Sequence, residues 1–287
     1  MKKKVKIIIL LLLIIIISFI VFKLWVKSNV EKDQVTVLMY HEVMKDEDFI
    51  EKPDTIRLST FEKQLKYFKD NNYKTLTMDE FYCWKQGYCN YNEKSVVLTF
   101  DDGFYSFHHL VTPLLEKYDM HATNFVIGSA TGDITKEYDV NKYGTIGKDV
   151  INNHSKNVNY QSHSFDMHRY VNNKQRVYSM NKKELQDDID NMKNIGKFNY
   201  ISYPFNTDTD LAIEILKENG YNLAFRGEGE KSVKSCNDYQ ISRIGVREDF
   251  NHFKSVFETK KYNNRYGNGL LRKIFITIER KLNISLG

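Results

Sequence analysis

From about residue 30 onward, short apolar runs alternate with stretches whose apolar residues recur at helical spacing. Residues 35–40, 122–127, 159–162, 200–203, 223–225 and 241–244 read as strands. A seventh strand lies within 95–103, S-V-V-L-T-F-D-D-G, where no polar position alternates with the apolar ones. That pattern belongs to a strand buried on both faces. Between the strands, Ser59-x-x-Glu62 and Thr77-x-x-Glu80 read as helix-capping boxes, and Asn181-x-x-Glu184 opens another helix. Phe61, Leu65 and Phe68 form the buried stripe of the first, and Leu185, Ile189 and Met192 that of the last. A helix over 106–118 is kinked or started late by Pro113, and one over 208–219 stops at Gly220. Residues 129–157 are polar and resolve into no element. Seven strands separated mostly by helices call for parallel pairing, in a barrel or in an open α/β sheet.

The N-terminus carries a different pattern. Residues 5–26 are apolar except for Lys6, Ser18 and Lys23. As a helix this run spans about 33 Å, enough for a hydrocarbon core of about 30 Å. Lys2, Lys3, Lys4 and Lys6 outweigh Lys23 and Lys27, which keeps the N-terminus in the cytoplasm. No small-x-small cleavage site and no lipidation cysteine follows, so the run reads as an uncleaved signal anchor, a single-pass transmembrane helix; a cleaved signal peptide is the alternative. Either way the chain beyond about residue 28 faces the exterior. The expected division is a signal anchor at 1–28, a catalytic domain at 29–249 and a basic amphipathic segment at 250–287. In that last segment Leu270, Leu271, Ile274, Phe275, Ile278 and Leu282 share a helical face beside Arg272, Lys273, Arg280 and Lys281. Such a face packs on the domain or lies on an anionic surface.

Composition narrows the function classes. The chain has 287 residues, 41% of them hydrophobic, and 3 prolines, which suits one large core without long disordered linkers. Its net charge of +5 rests on the four N-terminal lysines, so it is no argument for nucleic-acid binding. Of the cysteines, Cys83, Cys89 and Cys236, none forms a C-x-x-C pair; an exterior location permits a Cys83–Cys89 disulfide.

In parallel α/β folds the reactive groups collect at the carboxyl ends of the strands. Here those ends carry Tyr40-His41, Asp101-Asp102, Ser162-His163 with His168 nearby, and Tyr203-Pro204. Two adjacent carboxylates emerging from a buried strand need a metal, a proton or hydrogen bonds to offset their charge. His163 and His168, in H-S-F-D-M-H, are spaced so that both imidazoles can reach one ion; Asp166 between them is a supporting partner or a turn residue. Two histidines and one carboxylate are a common open ligand set for zinc and similar divalent metals. One aspartate can then bind the metal while its neighbour takes a proton from water whose pKa the ion lowers, which is the chemistry of amide or ester hydrolysis. A backbone N–H, that of Tyr203, stands as the candidate partner for the oxyanion.

These residues resemble the polysaccharide deacetylases of carbohydrate esterase family 4, which share the NodB homology domain. The resemblance runs from about Val35 to Val246. It rests on T-F-D-D-G at 99–103, about 60 residues ahead of the histidine motif, with V-L-M-Y-H at 37–41, A-T-N-F-V-I-G at 122–128, S-Y-P-F at 202–205 and S-R-I at 242–244. It implies a deformed (β/α) barrel of about seven strands and a metal-dependent N-deacetylase. By motif position Asp101 is the general base, Asp102, His163 and His168 are the metal ligands, and Tyr203 with Pro204 lies at the oxyanion and substrate. Zinc is the default ion, with cobalt, nickel and iron suited to the same ligands. The five-residue histidine spacing looks like the branch that includes deacetylases of poly-β-1,6-N-acetylglucosamine.

One departure stands out. Many members carry a late L-x-H histidine as general acid, and the corresponding I-S-R-I-G-V at 241–246 has none. His252 lies beyond it in a polar context, which leaves His41 as the candidate protonating or substrate-binding group. The expectation is a hydrolase at the cell membrane, its catalytic domain extracellular, acting on an N-acetylglucosamine polysaccharide. Its rivals are a peptidoglycan N-acetylglucosamine deacetylase and a carbohydrate-binding protein of the same fold with little turnover. A glycosidase that used Asp101 and Asp102 as its acid pair fits poorly, because adjacent strand residues point to opposite faces.

Overall fold

The computed structural model describes residues 2–28, 33–91, 94–132 and 144–263. Its centre is a closed ring of seven parallel strands: β1 (Gln34–Tyr40), β2 (Ser95–Phe100), β3 (Ala122–Val126), β4 (Val158–Ser162), β5 (Tyr200–Ser202), β6 (Leu223–Gly227) and β7 (Ile241–Gly245). Each strand pairs with the next in sequence. The ring closes because β1 pairs on one side with β2, from Thr36↔Val96 to Tyr40↔Phe100, and on the other with β7, Leu38↔Ile244 and Met39↔Gly245. That double pairing decides for the barrel over the open sheet. Ser232–Val233 adds an antiparallel strand to β1, and Lys74–Thr75 a parallel one to β2.

Alternation along the strands sorts the apolar residues into two layers. Val35, Val37, Val97, Phe125, Tyr200, Leu223, Phe225 and Ile241 share one parity and form the cluster inside the ring. Leu38, Tyr40, Val96, Leu98, Phe100, Val126, Val158, Tyr160 and Ile244 take the opposite parity and lie beneath the helices. Because both faces of β2 are filled, the run at 95–100 shows no polar alternation. Helix α3 (Met78–Lys85) lays Met78, Phe81 and Trp84 against the inner cluster near the amino ends of the strands. Toward the carboxyl ends the inward positions turn polar, with Thr99, Asp101, Ser202 and Arg243, all buried. The barrel is plugged below and chemically open above.

The helices obey their sequence signals with one exception. Thr77 caps α3 and Asn181 caps α6 (Lys182–Lys193), both with complete capping boxes. Helix α2 (Leu58–Asp70) does not begin at the Ser59 box. It starts two residues earlier, at Leu58 after Arg57, with no side-chain cap from its own sequence. Distant carboxylates replace that cap: Ser59 N–H donates to Asp46 at 3.0 Å and Arg57 N–H to Glu248 at 2.8 Å. Residues 105–118 form one helical run, and Pro113 lies in it just behind a wide turn at Phe107–Val111, at the opening of its last segment, α4 (Thr112–Tyr118), so it marks an irregularity within the run and not its start. In the weakly patterned stretch, α5 (Lys148–Asn152) forms, and α7 (Asp210–Glu218) ends before Gly220, whose φ is 75°. Cys83 and Cys89 are joined in a disulfide, their Cα atoms 5.3 Å apart, and Cys236 is buried and outside any disulfide.

At the N-terminus α1 (Lys2–Ser28) is a continuous helix whose described side chains, residues 6–21, are exposed. Among the described residues no helix is long and apolar enough to cross a membrane; the apolar run of the sequence continues past residue 21 to Phe22 and, beyond Lys23, to Val26. At the other end the packed domain does not stop at residue 249. Helix α8 (Phe250–Glu258) sets Phe253 against Phe68 and Tyr67, at ring separations of 5.4 and 5.6 Å, and Phe257 against Tyr73 at 5.1 Å. The amphipathic face at 270–282 lies outside the described residues.

This packing makes α8 a structural part of the domain. Phe253→Ala, which empties a fully buried ring position, is expected to cost about 3–5 kcal/mol, read as a lower urea midpoint with the slope unchanged.

Candidate active site

The two aspartates part company because of one backbone residue. Asp101 continues the inward parity of β2. A further extended residue would send Asp102 outward, but Asp102 adopts φ 75° and Gly103 φ 73°. This left-handed pair turns the chain back over the mouth of the barrel. Gly103 is required there on two counts: its backbone is left-handed, and a Cβ would sit 3.2 Å from the side chain of Val126. Asp101 therefore stays inside the barrel while the Asp102 carboxylate meets the histidines.

Asp102 Oδ1 lies 3.4 Å from Nε2 of His163 and 3.4 Å from Nε2 of His168. One ligand atom from each of these three residues falls within 4.8 Å of the others. Oδ1 is buried and makes no hydrogen bond, which is the condition of an oxygen shaped for a cation. His163 is buried at the end of β4, and its Nδ1–H donates to the carbonyl of Ser202 at 2.8 Å. That bond fixes the tautomer with the Nε2 lone pair facing Asp102, as a histidine ligand needs. Burial disfavours the charged form of His163, but Asp101 and Asp102 outweigh it and raise its pKa. His168 is shifted down by burial and by His163. The residues present thus fit a single divalent ion.

The loop that returns His168 over His163 is built on Asp188, which sequence reasoning overlooked. This α6 carboxylate accepts the N–H groups of Phe165 at 2.8 Å and Asp166 at 2.7 Å, and burial raises its pKa. Ser164 is left-handed at φ 67°, and its hydroxyl accepts Met167 N–H at 3.1 Å. Asp166 takes no part in the cation site. Its carboxylate is bound by Arg169 at 3.0 Å and by Arg176, so it anchors the segment that follows.

Arg243 is the other residue that sequence reasoning did not assign. It points inward from β7, is fully buried, and grips Asp101 with two bonds of 2.7 Å, Nη1 to Oδ1 and Nη2 to Oδ2. Its signal in the sequence was an arginine at an inward position of an otherwise uncharged strand, I-S-R-I. Burial alone would raise the pKa of Asp101; the guanidinium, with His163 and His41, holds it well below the usual carboxylate range. Asp101 is therefore ionised at neutral pH. Ser202 Oγ lies 3.1 Å from Asp101 Oδ1 and 2.5 Å from His163 Nδ1, linking the acid–base and cation halves of the site. His41, half-buried past the end of β1, lies near enough for its charge to lower the pKa of both aspartates. The late position stays empty of histidine, since His252 sits on α8 and meets Tyr262 at 3.3 Å.

One expectation needs correction. Tyr203 N–H donates to the carbonyl of Phe225 at 2.9 Å within the sheet, so it has no hydrogen to offer an oxyanion. Its side chain points outward into the core, its hydroxyl on the carbonyl of Tyr239. Pro204 has no N–H at all. The next residue, Phe205, is left-handed at φ 55° and its N–H donates to no acceptor among the described residues. Its ring lies 4.3 Å from that of His168, which puts this free donor beside the cation site. A cleft of about 880 Å³ runs along the ends of β1 and β7, from Met39 and Gly245 to Asp54 and His252, and is lined by none of the triad residues.

A barrel mouth that joins an ionised, arginine-held carboxylate to a cation site of one carboxylate and two imidazoles defines a hydrolytic enzyme. Residues 89–224 match the family model described as polysaccharide deacetylase. The chain is 28% identical over 209 residues to a protein of Staphylococcus aureus (strain MRSA252) named poly-beta-1,6-N-acetyl-D-glucosamine N-deacetylase, covering 69% of this chain and 70% of that one. Among solved structures, IcaB from Ammonifex degensii superposes with a TM-score of 0.62 at 21% identity, covering 79% of this chain and 96% of that one. The deacetylase PplD of Streptococcus pyogenes, in complex with acetate, gives 0.61 at 21% identity, covering 78% and 98%.

Removing the arginine tests the ion pair. Arg243→Met leaves Asp101 buried without its counter-charge and is expected to cost about 3–5 kcal/mol at pH 7. In the native protein the depressed pKa contributes stability above the ordinary carboxylate range, lost as pH falls through the folded value. In the variant burial raises that pKa instead, so lowering the pH relieves the penalty. Urea unfolding should therefore show the gap between the two proteins narrowing as the pH falls, beginning above the ordinary carboxylate value of about 4 and continuing below it.

Proposed function

We propose that the protein is a membrane-anchored, outward-facing enzyme that removes N-acetyl groups from N-acetylglucosamine units of a surface polysaccharide, poly-β-1,6-N-acetylglucosamine in particular. The observation that carries this reading is the convergence of Asp101, Asp102, His163 and His168 on one mouth, with Arg243 holding the first. The polymer is suggested by the name of the staphylococcal relative and by the five-residue histidine spacing. The anchor is suggested by the apolar run at 5–26 and its lysine flank. The disulfide of Cys83 and Cys89 suits the same exterior location.

Asp102, His163 and His168 would hold the ion, and zinc suits a set of two imidazoles and one carboxylate with positions left open. Bound there, a divalent ion supplies Lewis acidity toward the amide carbonyl and a lowered pKa for water. The remaining work falls to the chain's own groups. Asp101, ionised and aimed by two arginine bonds, accepts the proton of the attacking water at its carboxylate. Phe205 N–H is placed to donate to the carbonyl oxygen as negative charge develops on it. In this reading His41 protonates the departing nitrogen as the amide C–N bond breaks. Acetate leaves, and the amine retained on the sugar is cationic at neutral pH. Ser202 moves no proton to substrate; it keeps Asp101 and His163 in register.

The test is acetate release by the full-length chain in detergent, given poly-β-1,6-N-acetylglucosamine oligomers and peptidoglycan in parallel. Release from the oligomers is expected, abolished by chelator, restored by zinc and reduced at least about 10²-fold in Asp101→Asn. Release from peptidoglycan alone would replace the polymer, and binding of glycan without release from either would replace the enzyme with a binding protein.

A further inference from the structure

Beyond the cation ligands a ladder of rings leads out of the site. The ring of His168 lies 4.3 Å from that of Phe205, and Phe205 lies 4.9 Å from Tyr170. The ladder opens to solvent at its outer end: His168 keeps 25% of its side chain exposed, Phe205 is likewise half-buried, and Tyr170 is 59% exposed. A large aromatic side chain left this open beside a reactive centre has no packing reason to be there, because its burial would stabilise the fold.

Tyr170 is also held firmly. It opens a two-stranded hairpin, pairing Tyr170↔Gln175 and Val171↔Lys174 across Asn172 and Asn173. Both asparagines are left-handed, at φ 50° and 61°, as the tight turn of a two-residue hairpin demands. Arg176 N–H donates to the carbonyl of Arg169 at 2.9 Å, closing the base of the hairpin. Both arginines bind Asp166, which lies between the two histidine ligands. The hairpin is thus fastened to the same loop that carries the cation site, and Tyr170 keeps a set distance from it. Its hydroxyl makes no hydrogen bond among the described residues.

A β-linked N-acetylglucosamine unit carries its hydroxyls equatorially and presents axial C–H groups on its two faces. Such a face packs on an aromatic ring, whose surface is electron-rich. We propose that Tyr170 is the stacking platform for the sugar unit next to the one being deacetylated, so that the enzyme reads a polymer rather than a single sugar. The proposal deepens the deacetylase reading and rests on it. In this role Tyr170 contributes ring surface, its hydroxyl is dispensable, and it takes no part in the chemistry at the carbonyl.

The experiment compares the full chain with Tyr170→Ala and Tyr170→Phe on monomeric N-acetylglucosamine and on poly-β-1,6-N-acetylglucosamine pentamer. Tyr170→Ala is expected to raise KM for the pentamer about tenfold, the scale of one aromatic contact, with kcat held. The ratio of kcat/KM on pentamer to that on monomer falls by the same factor, and Tyr170→Phe restores it. Binding of pentamer to Asp101→Asn, with and without Tyr170→Ala, is measured by calorimetry in parallel and should weaken to the same extent. That arm separates the two readings: tyrosine-dependent binding with no acetate released by the native protein sinks the deacetylase reading and leaves the platform. Equal losses on monomer and pentamer, a fall in kcat alone, failure of Tyr170→Phe to restore the ratio, or pentamer binding indifferent to Tyr170 each overturns the proposal.

Discussion

The contact on which the site depends is the buried pair of Asp101 and Arg243. Both groups are out of water, with 3% and 0% of their side chains exposed. Taking two charges into a protein interior costs several kcal/mol each, and attraction repays it only when the geometry is good and the remaining polar atoms are served. Here the two groups meet through paired bonds of 2.7 Å. Arg243 Nη1 reaches Thr99 at 3.2 Å, and Thr99 in turn donates to the carbonyl of Leu38. Ser202 completes the shell around the carboxylate. The chain thereby maintains an ionised carboxylate at the core of a barrel, in a place where burial alone would neutralise it.

Closure of the barrel makes that pair possible. Asp101 and Arg243 lie 142 positions apart in sequence, and β1 stands between their strands, paired with both. The inner parity of β2 and β7 then points the two side chains at each other across the top of the apolar plug. Asp102 would follow the outward parity were it extended. Its left-handed backbone breaks the alternation once, at the mouth, and this is the step that converts a pair of neighbouring acids into two separate functions. The same objection that made a glycosidase pair improbable from sequence is answered by that one residue, and in favour of a different chemistry.

Much of this was legible beforehand. All seven barrel strands stand where short apolar runs predicted them, and His41, Asp101, Asp102, His163 and His168 do gather at one end, because strand periodicity and the carboxyl-end rule are local and topological. The misses share a cause. Arg243 could be seen as an odd residue in a strand, yet its partner could be known only once β7 was placed beside β1. Asp188 looks like one more acid on a charged helix until the loop at 163–168 folds onto it. Tyr203 and Phe205 have equal standing as N–H donors in the sequence, and only the pairing of β5 with β6 shows that the first is already spent. Ser59 has a complete local capping signal, overridden by carboxylates from Asp46 and Glu248.

The amino-acid sequence by itself determined the number and order of the strands, the types of reactive groups and their place at strand ends. These follow from periodicity, burial preference and chain direction, all of which act within a few residues. Tertiary structure decided between barrel and open sheet, which carboxylate faces the arginine, which faces the imidazoles, and which backbone N–H remains free. Those choices turn on where distant segments meet, on the sign of one φ angle and on which hydrogen bonds are already occupied. None of these is a property of a segment in isolation.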